Sequence, residues 1–580
     1  MKEKKSSSAS QSWWQLLIVI AIIIVINIIS SFLFTRFDLT NEKRYTLSKE
    51  TRQLIENTQD IVYFRVFLEG DFPAGFKRLR RETQELLDEF RAYNKNIAYE
   101  FINPSASEDP KERNATYQLL VQQGLQPTNL QVKTKNGMEQ QVIFPGVLVS
   151  YRNRDVAVEL LDAQMNVPPE AVLNNSINNL EFKLANAIRK VTRVRKPAIA
   201  FIEGHGELDD QDTYDLTESL KEDYVVDRVT INNQLNALVN RTLIDSTTNH
   251  WEITPKYAAI IIAQPDSSFE GKDRFIIDQY LMYGGKILWF VDPVLASMDS
   301  TQNSGSTVAI DKGLDLQAQL FTYGVRLNSN LIMDLSANSI PVRTGQMGNQ
   351  PQIEFFPWYY FPVITPTSTH PIAKNLNAIK TQFVSSIDTL SIKNVKKTVL
   401  LSTSPYSRIE DVPAIISLSI LSKQPDPRQY TTPPQAVAVL LEGTFLSDFR
   451  NRIPPEIMND KGIGFREESL PTAMLVVSDG DLIRNQFKIP EGYPLPLGYD
   501  QYTRETFGNK DFVLNAINYL TEGPGLISVR SRETKLRLLD RAKINDHRMG
   551  WQLLNVLAPL LLVVVVGLLI VFLRKRKYAR

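Results

Sequence analysis

Two long apolar runs lie toward the two ends of this chain and constrain its folding more than any other feature. "WWQLLIVIAIIIVINIISSFLF" (13–34) has no ionisable group over about 22 residues, about 33 Å as a helix and enough to span a bilayer. "WQLLNVLAPLLLVVVVGLLIVFL" (551–573) repeats the pattern. The first is too long for the apolar part of a signal peptide, and no small-residue cleavage motif follows it. Lys2, Lys4 and Lys5 precede the first run; Arg574, Lys575, Arg576, Lys577 and Arg580 follow the second. Positive-inside bias then places both termini in the cytoplasm, against the opposing charges of Arg36, Lys43, Arg44, Arg541, Lys543 and Arg548. The roughly 510 residues between the runs are expected outside the cytoplasm.

That intervening chain reads as α/β. "IVYFRVFLEG" (61–70) is a strand, "FKRLRRETQELLDEFRAY" an amphipathic helix with Phe76, Leu79, Thr83, Leu86, Leu87 and Phe90 on one face, and "IAYEFINPS" another strand. Thr46 and Ser48 can cap a short helix before them. Alternating segments at 141–161 are expected at the sheet edge, and a helix over about 170–192 closes the unit. The element order is similar to a thioredoxin-like domain. The chain has no cysteine, so a C-x-x-C redox centre is excluded.

From 196 onward, "AIAFIEGHG", "YAAIIIAQPD", "KILWFVDP", "AVAVLLEG" and "AMLVVSDGD" are short apolar runs that end in acids, glycine or proline. Such runs imply strands buried on both faces, as in parallel sheets. Helical patterns at 273–284, 315–324 and 511–520 complete a doubly wound arrangement. The expected layout is a cytoplasmic tail (1–12), a span (13–35) and a first α/β domain (45–195). A second α/β domain (196–525) follows, with a proline-rich insertion at about 325–430. A juxtamembrane linker (526–550), a span (551–573) and a basic tail (574–580) end it. Polar segments at 264–272 and 298–310 read as surface connections, and the basic stretch Arg530 to Lys543 as a candidate partner contact.

The chemistry is sparse. There is no P-loop, no H-E-x-x-H and no G-x-S-x-G. The net charge of +1 gives no field for nucleic acid. "VSDGDLIRN" (477–485) lacks the terminal glutamate of an EF-hand loop and reads as a strand-end turn. The six aromatics in 355–361 read as packing across a seam, with a ligand platform as the alternative. The sharpest candidate is "FIEGHGELDD", which follows a strand and offers Glu203, Gly204, His205, Gly206 and Glu207 as a ligand loop. The competing reading is a glycine turn whose acids favour the next helix N-terminus. His250 and His370 sit in no ligand-like motif, so no catalytic, metal or cofactor site is expected.

The first span followed by "FDLTNEKRYTLS", the "AIAFIEGHGELDD" turn, "PWYYFPVITPTSTHPI" and the final span together resemble the gliding-motility-associated (GldG) auxiliary ABC-transporter components, over nearly the whole chain. The "GHGE" turn is shared with a wider auxiliary transport family. The resemblance implies a glutamine-amidotransferase-like second domain without that enzyme's cysteine. It also implies an inner-membrane protein with a periplasmic domain, a separate ABC permease and a cytoplasmic ATPase as partners, and a non-catalytic role. An extracytoplasmic solute-binding or sensing subunit is the alternative.

Overall fold

The computed structural model describes residues 13–14, 16–25, 46–134, 137–162, 168–193, 195–347, 350–523, 525–531 and 548–578. The expected cytoplasmic tail (1–12), residues 26–35 of the first span and residues 532–547 of the linker lie outside them, and most of Arg530 to Lys543 with them. The chain divides into two compact units, residues 45–532 and the two terminal segments.

In the terminal unit, Arg548–Tyr578 is one helix. Its segment Met549–Arg576 is long and apolar enough to cross a membrane, about 42 Å at 1.5 Å per residue. Its aliphatic side chains are exposed, consistent with a membrane-anchoring helix. Of the expected first span, the apolar helix Leu16–Val25 is described.

Among the described residues, 45–532 hold two larger sheets, of four and seven strands, besides several two- and three-stranded ones. The first is built from α1 (Lys49–Glu56), β1 (Val62–Val66), α2 (Ala74–Tyr93), β2 (Ile97–Phe101), α3 (Pro110–Gln122), β3 (Gly146–Tyr151), β4 (Arg154–Glu159) and α4 (Leu180–Thr192). Ser48 caps α1 by accepting from the Thr51 N–H at 3.0 Å. β1 alternates buried and half-buried residues, the period-2 pattern of a strand between two layers. On α2, Phe76, Leu79, Thr83, Leu87 and Phe90 turn inward at helical spacing. The sheet order is β2-β1-β3-β4. β1 and β2 are parallel, whereas β3 and β4 add antiparallel. The closing helix expected over about 170–192 is two helices, Pro169–Asn178 and Leu180–Thr192. At their junction the Asn179 amide donates to Asp162 at 2.7 Å.

The second sheet has seven strands. In chain order its elements are β5 (Ala198–Glu203), α5 (Tyr214–Lys221), β6 (Val225–Thr230), β7 (Ala259–Ala263), α6 (Gly271–Met282), β8 (Ile287–Phe290), α7 (Gln317–Tyr323), β9 (Val395–Ser402), β10 (Ala436–Gly443), β11 (Thr472–Val477) and α8 (Asn509–Glu522). The order is β9-β10-β11-β8-β7-β5-β6, with β6, β5, β7, β8 and β11 parallel. Each face has its own core. Ile261 of β7 packs with Leu216, Leu220, Phe512 and Ile517 on the α5/α8 face. Ile260 and Ile262 pack with Ile277, Tyr280 and Leu320 on the α6/α7 face. Burial on both faces explains why the strands read as unbroken apolar runs.

Three expectations change. β10 is such a run, yet it pairs antiparallel with β11 and with β9, and β9 comes from inside the expected insertion. Two-faced burial sets the composition, and strand direction does not. The polar segment at 298–310 is not a plain connection: Ser297 caps a helix, Met298–Ser304, and Ser306–Asp311 is a strand. The segment at 264–272 contacts the loop described next.

Candidate functional site

From β5 the chain runs through α5 to β6 at one edge, then crosses back over β5 to β7. The carboxyl ends of β5 and β7 therefore flank the point where strand order reverses, the usual ligand crevice of an open α/β sheet. The "GHGE" loop occupies it. Gly204 has φ +117° and Gly206 φ +74°, and a Cβ on Gly206 would meet the Asp266 carboxylate. Leu208 N–H donates to the Ala263 carbonyl at 2.9 Å, and the His205 carbonyl accepts from Asp266 and Ser267 N–H at 2.9 and 3.0 Å. These bonds tie the loop to the end of β7.

The His205 ring is buried and stacks on Phe269, with centroids 3.8 Å apart. Its Nδ1 lies 3.1 Å from Glu207 Oε1 and its Nε2 3.2 Å from Asp273 Oδ2, on α6. Glu207 Oε2 accepts from the His205 N–H at 2.7 Å, and Asp273 Oδ1 from the Asn233 N–H at 2.8 Å. Burial alone would lower the imidazole pKa, but hydrogen bonds and charge from Glu207 and Asp273 outweigh it and raise the pKa. The ring thus lies between two carboxyl groups, with every ring nitrogen and carboxyl oxygen engaged by the protein.

Glu203 does not join it. Its carboxylate meets Arg228 at 2.9 Å, and Arg228 also bonds the Leu208 and Asp209 carbonyls. Of the residues singled out in the sequence, the structure brings His205 and Glu207 together, uses Gly204 and Gly206 for the turn, and sends Glu203 elsewhere. Asp209 caps the following turn through the Asp212 N–H at 2.9 Å, one step short of α5. Asp273 was missed; it is one of three polar residues, with Asp278 and Gln279, buried on the same helix, and nothing in its local sequence sets it apart.

A second group of acids lies at the ends of β8 and β11. Asp292 accepts from Gly480 N–H and Gln264 Nε2, both at 2.6 Å, and Asp479 from Gln382 N–H at 2.9 Å. Asp479 Oδ1 is buried without a partner. Burial raises all three carboxyls, Asp292, Asp479 and Asp481, and the charge of Asp292 raises the other two further, Asp481 to about 6. "SDGD" is a strand-end turn running into a 3-10 turn, Asp481–Ile483. Among the described residues no group of three or more His, Cys, Asp or Glu is arranged to hold a metal ion.

The aromatic segment is packing. Trp358, Tyr359, Tyr360 and Phe361 are buried, with Phe361 edge-on to Phe383 at 5.1 Å, while Phe355 is exposed. His370 packs edge-on to Tyr519 at 4.8 Å.

Residues 196–516, β5 to α8 with the loop at their start, match the family described as an ABC-type uncharacterized transport system, in its auxiliary component. The chain belongs to that family. Residues 41–150, spanning most of the first sheet, match a domain of unknown function (DUF7088). No curated protein matches the chain. Similar solved structures include the "mmIFT52 N-terminal domain", 13% identical over 56% of this chain and 97% of that one, with a TM-score of 0.30. Membership of the auxiliary transport family thus rests on the seven-stranded sheet and its loops.

Proposed function

We propose that this protein is a non-catalytic, membrane-anchored subunit of an ABC transporter of the gliding-motility-associated (GldG) kind. In this reading it works with a separate permease and a separate cytoplasmic ATPase. Family membership and the apolar C-terminal helix support association with a transporter at a membrane. The observation that carries the non-catalytic part is the closed His205 network. A catalytic or ligand-binding imidazole needs a ring nitrogen turned to substrate, and here both face protein carboxylates.

The domain folds fit the same reading. The β2-β1-β3-β4 order supports a thioredoxin-like first domain, and the parallel strands at the heart of the second sheet support a glutamine-amidotransferase-like one. Without cysteine neither can run its parent chemistry. Two spans with cytoplasmic ends would hold both sheets in the periplasm. The position of the "GHGE" loop at the switch point favours a second reading, a solute-binding subunit of the same transporter.

Purification of the full chain from native membranes in mild detergent tests the first reading. Stoichiometric recovery of an ATPase and a polytopic permease is expected; recovery of the chain alone overturns it.

A further inference from the structure

β4 is the outer strand of the four-stranded sheet, and its pairing with β3 is regular. Edge strands are commonly blunted by proline, bulges or a covering element. "RDVAVE" has neither proline nor bulge. The two-residue turn before it, with Arg152 at φ +54°, makes Tyr151 and Arg154 a hydrogen-bonded pair. Alternation then turns Val156 and Val158 toward β3, and the Leu160 N–H on the Pro145 carbonyl at 2.8 Å keeps the same phase. The backbone groups of Asp155, Ala157 and Glu159 point outward. Lys183 Nζ reaches one of them, the Glu159 carbonyl, at 2.7 Å.

A cavity of about 800 Å³ runs along this edge, between the two sheets. Four consecutive residues of β4, Val156 to Glu159, line it, as an edge does and a sheet face does not. Phe182, Asn186 and Lys190 of α4 form its floor, and the turn before α8 its far wall. The groove continues into a second cavity of about 330 Å³ that shares those three residues. From Phe182 to Lys190 is about 12 Å of helix, the length of about four extended residues. Both lysines of the groove are already engaged, Lys183 by Asp162 at 2.5 Å and Lys190 by Asp223 at 2.9 Å, and Arg504 on the far wall is offset by Glu505 and Asp511 in the same lining.

We infer that the groove between β4 and α4 takes an extended, uncharged segment of a partner polypeptide, which adds to the sheet as a fifth strand. Main-chain bonds to Asp155 and Ala157 supply the recognition. Alternate side chains of the segment meet Phe182 and its neighbours. Internally paired lysines disfavour an acidic segment, and the length favours a strand over a compact solute. The inference is independent of the transporter reading, since the groove belongs to the two sheets whatever protein supplies the segment.

The full chain in detergent is incubated with a pool of capped, uncharged hexapeptides drawn from Val, Thr, Ser and Gln. Amide hydrogen exchange is followed at residues 154–162. Binding is expected to slow exchange at Asp155 and Ala157. N-methylation of the bound peptide at alternate residues is expected to weaken it about tenfold in one phase and little in the other. Asn186→Trp, which fills the floor without touching the strand, is expected to abolish protection at an unchanged unfolding temperature. No protection at this edge by any member of the pool, or equal affinity for the two N-methylated phases, overturns the inference.

Discussion

Two groups of acids stand at the carboxyl ends of the same sheet, and they solve the burial of charge differently. At the β5–β7 crossing, His205 stands between Glu207 and Asp273, whose hydrogen bonds and charge raise the ring's pKa against the opposing effect of burial. At the ends of β8 and β11, Asp292, Asp479 and Asp481 face one another, and Lys312 and Arg484 offset only part of the repulsion. There burial and mutual repulsion push the carboxyl pKa values up instead. A buried acid beside a histidine forms a clasp with it, whereas buried acids beside one another raise each other's pKa. The clasp joins elements far apart in sequence, since Asp273 is 68 residues from His205.

The contrast can be broken most sharply at His205. His205→Ala leaves the two buried carboxyl groups of Glu207 and Asp273 without their shared partner and is expected to cost about 3 kcal/mol, read from denaturant unfolding of the full chain in detergent. An unchanged midpoint would mean that the clasp holds nothing. Gly206→Ala adds a Cβ at φ +74° against Asp266 and is expected to cost about 2 kcal/mol by the same measurement.

The pH dependence of stability sharpens the difference, because the two groups act in different windows. The raised His205 pKa gives a contribution fully present below the unfolded value of 6.5 and lost as pH rises through the folded one. Asp481, raised from 3.8 to about 6, binds its proton more tightly when folded, so its contribution falls as pH climbs between those values. Asp481→Asn is expected to flatten the curve below pH 6, and His205→Gln the curve above pH 6.5. Curves that change in the opposite windows would reverse the assignment. The smallest effect is expected at Glu203, which is half-exposed and paired with Arg228 outside the clasp. Glu203→Ala should cost less than about 1 kcal/mol.

Much of the fold was legible. Ser48 capped its helix as its type and place required. The inward face of α2 followed from the spacing of Phe76, Leu79, Thr83, Leu87 and Phe90. The parallel strands were plain because burial on both faces demands unbroken apolar residues. Strand direction left no such mark, so β10 read as parallel, and β9 was hidden inside an expected insertion by its polar start, the exposed Lys396 and half-buried Lys397. At the candidate site, the glycines and the strand-end position marked the turn. The partners of His205 did not show, because Glu203 and Glu207 look alike in sequence and Asp273 lies on another element.

The sequence by itself determined the apolar C-terminal helix, the α/β alternation, the glycine turn after β5 and the exclusion of cysteine chemistry. Each follows from composition and local spacing, which act over one or two turns or strands. Only the tertiary structure decided that His205 is held by Glu207 and Asp273 while Glu203 turns to Arg228. Only it left one sheet edge open beside a groove. Those outcomes depend on which strand lies next to which, and that is set by the packing of whole layers.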